Sequence, residues 1–257
     1  LLLVMATWLL PVALVAAAPA ASFSSPSSVR AGDTITVSFR MNGTNLQAVQ
    51  GEIQYNSTQL TFRSSGNILS GWAIDVDGSV AGKVTFLGID DKLAAPINST
   101  TRLFSMTFQV RSGVKAGDTI RVTAAELVAS DGTTDAYPPN VSATMTVLAP
   151  LSTNANLSRL TVSNATLSPD FAKNTTSYTA SVPFSVNQLD LTATPEDSKA
   201  KVAVGNNRLV AGGTTDVTVT VTAESGATKV YTIRVDREQD PDYKPSTDNR
   251  LATLQVE

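Results

Sequence analysis

Residues 34–41, TITVSFRM, alternate strictly: Ile35, Val37, Phe39 and Met41 fall on one side and Thr34, Thr36, Ser38 and Arg40 on the other. A period of two marks a strand with one packed face and one wet face. The alternation recurs at 47–55, where Val49, Ile53 and Tyr55 oppose Gln50, Glu52 and Gln54. It recurs again at 104–110 (Phe104, Met106, Phe108, Val110) and at 141–147 (Val141, Ala143, Met145, Val147). Beyond residue 150 it returns at Tyr178, Ala180 and Val182, at Val217, Val219 and Val221, and at Tyr231, Ile233 and Val235. Turn chemistry separates the runs: MNGTN at 41–45, DVDGS at 75–79, SDGTTD at 130–135 and YPPN at 137–140. Many short alternating strands divided by Gly, Asn and Asp turns predict an all-β chain built from sandwiches.

One phrase is spelled twice, VRAGDTITV at 29–37 and VKAGDTIRV at 114–122. In both copies Ala-Gly-Asp precedes a β-branched alternating run. Gly32 and Gly117 supply permissive backbone, and Asp33 and Asp118 can bond their own turn amides. The phrase is read as turn punctuation before two strands, not as a paired ligand site.

The strand called from VTFLGID at 84–90 breaks the rule of one wet face. Val84 and Phe86 face the core, which leaves Leu87 and Ile89 on the other side with Thr85. A strand apolar on both sides is either covered or offers a docking patch.

Domain limits follow composition. The uncharged start LLLVMATWLLPVALVAAAPA ends in a small-x-small site and reads as an export signal over residues 1–20. With no initiator Met before it, the sequence is expected to be truncated at its front. The first sandwich is expected over 21–149, a linker over 150–153, a smaller sandwich over 154–237 and a polar linker, QDPDYKPST, within 238–247. Leu251, Leu254 and Val256 then repeat Leu157, Leu160 and Val162 at a constant offset of 94 residues, so a truncated second copy is expected over 248–257.

Composition narrows the chemistry. The 257 residues include no Cys and no His, which removes thiol nucleophiles, imidazole bases, disulfides and the usual zinc and haem ligands. No catalytic residue and no cofactor are assigned. Residues 1–150 carry 9 basic and 10 acidic side chains and residues 151–257 carry 10 and 12, so neither half has the basic excess that nucleic acid needs. Asp75-x-Asp77-Gly78-Ser79 invites a calcium-loop reading. Counted from Asp75, however, position 6 is Val80 and position 12 is Phe86, where Gly and Glu are required, so no metal site is assigned. No membrane span is read after the export signal.

Two family resemblances join these readings. Segment 23–148, with AGDTITVSFRMNGTNLQAVQGEIQYNSTQLTF, then GKVTFLGIDD, LFSMTFQV and a closing AGDTIRV, resembles a cohesin. That family is a jelly-roll-like module that binds dockerin domains. YNST at 55–58 departs from the family's Tyr-Asp-Pro. Residues 154–237, with NANLSRLTVS, LSPDFAKNTTSYTASVP and TKVYTIRVDR, resemble a cadherin-like β-sandwich repeat of bacterial surface proteins. The resemblance implies a non-catalytic exported scaffold. Its partner would be a dockerin-type module borne by a polysaccharide-degrading enzyme, with any calcium on the partner. Carried over from cohesins, the partner-facing residues would be Gln50, Glu52, Leu87 and Asp90. The alternative expectations are polysaccharide binding at Trp72, since cohesins share their general fold with some carbohydrate-binding modules, and a purely structural surface stalk.

Overall fold

A computed structural model describes residues 18–245, and every regular element in it is a strand. The chain divides into two units at residue 150. The first contains β1 (Ala20–Ser24), β2 (Ser28–Val29), β3 (Thr34–Asn42), β4 (Ala48–Tyr55), β5 (Leu60–Gly66), β6 (Ala73–Asp77), β7 (Lys83–Ile89), β8 (Thr101–Val110), β9 (Thr119–Ser130), β10 (Asp135–Ala136) and β11 (Val141–Val147). They form a four-stranded sheet, β1-β3-β8-β5, and a larger sheet, β2-β11-β9-β4-β7-β6, with β10 paired to β9.

The inward residues of the two sheets meet in one core. Phe39 and Phe104 come from the four-stranded sheet and Phe86 from the larger one. Their ring centroids lie 5.0 Å (Phe39–Phe86), 5.1 Å (Phe86–Phe104) and 5.6 Å (Phe39–Phe104) apart with tilted planes. Such pairs add about 0.5–1.5 kcal/mol each beyond the area they bury. The residue after Phe86 is Leu87, so the strand that anchors the core also presents the exposed leucine.

The duplicated phrase forms two equivalent turns. Gly32 and Gly117 have φ of 85° and 91°, the left-handed region where a Cβ is strained. Asp33 accepts the Arg30 amide at 2.6 Å and Asp118 accepts the Lys115 amide at 2.8 Å. The first turn closes on the end of β8, with Gly32 N–H donating to the Val110 carbonyl at 3.0 Å. The second closes on the end of β11, with Gly117 N–H donating to the Val147 carbonyl at 2.8 Å. One turn launches a strand of the four-stranded sheet and the other a strand of the larger sheet.

The second unit contains β12 (Leu157–Val162), β13 (Ser177–Val182), β14 (Leu191–Pro195), β15 (Lys201–Gly205), β16 (Thr214–Thr222) and β17 (Thr228–Arg237). β12 and β14 form one small sheet; β13-β17-β16-β15 form the other, with β13 parallel to β17. Tyr231 is fully buried. Its hydroxyl takes the Leu157 N–H at 3.1 Å and donates to the Lys173 carbonyl at 2.9 Å, tying β12 to β17.

Ala20, expected to close the export signal, is the first residue of β1 and pairs with Asn42. Ser152, expected in the linker, bonds Glu224 and Ser225 of the second unit. Most of the expected export signal (1–17) and the expected second copy (248–257) lie outside the described residues. Among the described residues no helix is long and apolar enough to cross a membrane.

Candidate docking face

The outer face of the larger sheet is organised in cross-strand rows. Leu87 on β7 stands between Asp75 on β6 and Gln50 on β4, and Gln50 in turn faces Val128 on β9. The next row runs Ala73, Ile89, Ala48, Ser130 and Asp135. Leu87 and Ile89 are 44% and 40% exposed, two large apolar side chains two residues apart on one open face. A shallow groove of about 150 Å³ lies beside them, lined by Ala48, Gln50, Leu87, Val128, Ser130 and Asp135.

Of the four residues carried over from cohesins, Leu87 and Gln50 are therefore neighbours on open surface. Glu52 is on the same face but only 9% exposed. The Lys83 ammonium lies 3.4 Å from its carboxylate and the Gln54 amide donates to it. The Gln54 hydrogen bond, with Lys83 beside it, holds the Glu52 carboxyl below the usual carboxylate range. A carboxylate so compensated offers a partner little.

Asp90 is corrected outright. It is 0% exposed, and its oxygens accept the amides of Ala94 at 3.1 Å and Ala95 at 2.8 Å. It shapes the loop that follows β7 and cannot touch a partner. The side-chain alternation itself turns Asp90 inward, two residues after Gly88 and opposite in sense to Ile89. Trp72 is corrected likewise. It is 6% exposed and its indole N–H donates to the Ala95 carbonyl at 2.8 Å, so no ring face is free to stack on a sugar.

Three groove residues escaped the sequence reading. Val128 was hidden by a bulge: Gln50 faces Val128 but Glu52 faces Ala125, so two residues of β9 sit opposite the single Gly51, one more than regular pairing allows. Glu126 inside that bulge has φ of 51°, and simple alternation cannot be carried across it. Ser130 and Asp135 come together only through the turn that pairs β10 with β9. Asp75, read from the sequence as part of the turn DVDGS at 75–79, instead lies within β6, where Ile74 and Val76 alternate with Asp75 and Asp77.

Among the described residues no three His, Cys, Asp or Glu side chains gather so as to hold a metal ion. Asp77 instead accepts the Ser79 amide at 2.8 Å, the ordinary chemistry of a turn.

Comparison with known proteins agrees with this architecture. The cohesin domain model matches residues 19–149, and the cadherin-like beta sandwich domain model matches residues 157–238. The chain belongs to the cohesin family, with a cadherin-like β-sandwich domain after the cohesin domain. Domains of these two kinds are typically non-catalytic binding modules of extracellular proteins. A protein of Evansella cellulosilytica, a membrane protein by name only, is 29% identical over 117 residues, which is 41% of this chain and 18% of that protein's length. Solved structures similar to the chain include the sixth cohesin of scaffoldin B from Acetivibrio cellulolyticus in complex with a Cel5 dockerin mutant, at 15% identity and a TM-score of 0.45, covering 51% of this chain and 99% of that one. Another is a cohesin module of a family 33 glycoside hydrolase from Clostridium perfringens, at 12% identity and a TM-score of 0.44, covering 51% and 97%. The family models carry the assignment, and these likenesses add no weight to it.

Proposed function

We propose that the first unit docks a dockerin-type protein module on the face around Leu87, in an exported scaffold whose partners act on polysaccharides. The observation that carries this reading is the exposure of Leu87 and Ile89 on β7, between β4 and the edge strand β6, on the sheet face turned away from the core. An apolar centre ringed by Gln50, Ser130 and carboxylates has the composition of a protein interface, with its anchor inside and its polar groups at the rim. The partner would bring its own calcium. Binding of the full chain to dockerin modules, in calcium and in chelator, tests this. Calcium-dependent binding that is lost in Leu87→Asp supports it. Failure to bind any module, or binding indifferent to Leu87→Asp, would sink it and leave a structural stalk as the better account.

A further inference from the structure

Charge is segregated between the two sheets of the cohesin domain. The strands of the four-stranded sheet contain Arg40, Arg63 and Arg102 and not one Asp or Glu. The strands of the larger sheet contain Glu52, Asp75, Asp77, Glu126 and Asp135 against only Lys83 and Arg121. Counting along the sequence could not show this, because Arg40 and Arg102 are far apart in sequence and meet only through strand pairing, while Arg63 lies in an irregularity of β5 opposite Thr107 and Phe108.

Within the four-stranded sheet Arg40 and Arg102 are direct cross-strand partners. Residues so paired have Cα atoms about 4.5–5.5 Å apart, and like charges placed there repel. The ion pairs among the described residues are Lys83–Glu52, Lys173–Glu196 and Lys199–Glu224, so neither arginine meets a carboxylate. Around them the outward positions are hydroxylated. Ser22 is the partner of Arg40 on β1 and Thr36 pairs with Thr107, while Ser38 bonds at 2.8 Å to Ser105, which is itself buried. No large hydrophobic side chain on these four strands is exposed.

We propose that this arginine face is a second binding surface, on the sheet opposite Leu87, for an anionic polymer bearing carboxylate or phosphate groups. Two arginines paired across neighbouring strands without a counter-charge can together engage an oxyanion, and the hydroxyl side chains beside them suit a hydrated polymer. A protein partner fits less well, since the face lacks the apolar anchor that protein interfaces need. Single-stranded nucleic acid fits less well too, since the face has no aromatic platform on which bases could stack. The inference is independent of the docking reading and leaves the Leu87 face free at the same time.

The test is affinity electrophoresis of the full chain at low ionic strength through gels containing polygalacturonate, polyphosphate or neutral dextran. Retardation is expected in at least one anionic gel and not in dextran, and the stronger of the two names carboxylate or phosphate as the natural group. Arg40→Gln with Arg102→Gln should weaken retention about tenfold. Lys115→Gln with Arg121→Gln, which removes the same charge from elsewhere on the domain, should leave it unchanged. The proposal is overturned if wild type migrates alike in all three gels, if both double variants lose retention equally, or if sedimentation without polymer shows arginine-dependent self-association. Unchanged melting of the double variants excludes misfolding as the cause.

Discussion

Asp90 and Trp72 hold the same residue from opposite sides. The Asp90 carboxylate takes the Ala95 N–H at 2.8 Å, and the Trp72 indole gives its own N–H to the Ala95 carbonyl at 2.8 Å. Two side chains that the sequence offers as candidate contact residues thus serve to pin one loop. Asp90→Ala would leave the Ala94 and Ala95 amides without their acceptor. The expected cost is about 2–4 kcal/mol, read as a lowered melting temperature of the cohesin domain. Docking measured well below that temperature should persist.

Phe86 and Leu87 should separate folding from binding. Phe86→Ala empties the centre of the aromatic cluster and is expected to cost about 3–5 kcal/mol. Leu87→Asp changes an exposed position and should shift stability by no more than about 0.5 kcal/mol while abolishing docking. Chemical denaturation and a binding isotherm on the same two variants check this.

The twin turns give an additivity test. A Cβ at Gly32 or Gly117 would meet no atom within 4 Å, so alanine there would be strained through backbone alone. Each substitution is expected to cost about 1 kcal/mol, and the double variant about 2 kcal/mol, because the turns close on different strands. A double variant no worse than either single would show that the turns are not independent.

In the cadherin-like domain Tyr231→Phe removes the hydroxyl that joins Leu157 to Lys173. Its ring and its packing survive, so the expected loss of about 1–3 kcal/mol reports the two unmade hydrogen bonds. Denaturant unfolding followed in that domain measures it.

Acid should loosen the same domain. The Lys173 ammonium at 3.0 Å, helped by the amides of Asn154 and Asn156, holds the Glu196 carboxyl below its usual 4.5. A depressed folded-state value means the contribution is complete above about pH 4.5 and fades as pH falls further. The melting temperature of the chain should therefore decline below that pH, and the decline should be shallower in Glu196→Gln.

The alternation read in TITVSFRM, LFSMTFQV and VTVTV sufficed for the sandwich class, because period two is local and each strand carries it whole. The turn reading of Gly32 and Gly117 had the same basis. Leu87 was visible as an apolar residue out of phase with its core. What stayed hidden depended on register between distant strands: Val128 behind a bulge, Asp135 beside Ser130, Arg40 opposite Arg102. Glu52 and Asp90 were carried over by position from the cohesin resemblance, and position alone does not show burial. Their actual partners, Lys83 and the Ala94–Ala95 amides, are fixed by how the chain closes on itself.

The pairing of β2 with β11 decides how the cohesin domain would answer a pull. These strands lie near the two ends of the unit and run parallel, with Ser27 accepting the Thr146 amide at 3.0 Å and Val29 accepting the Leu148 amide at 2.7 Å. Tension applied at the two ends draws parallel neighbours past one another, so these bonds are loaded together in shear instead of being peeled in sequence. A domain whose end strands must lose several bonds at once resists force better than one whose bonds are peeled one at a time.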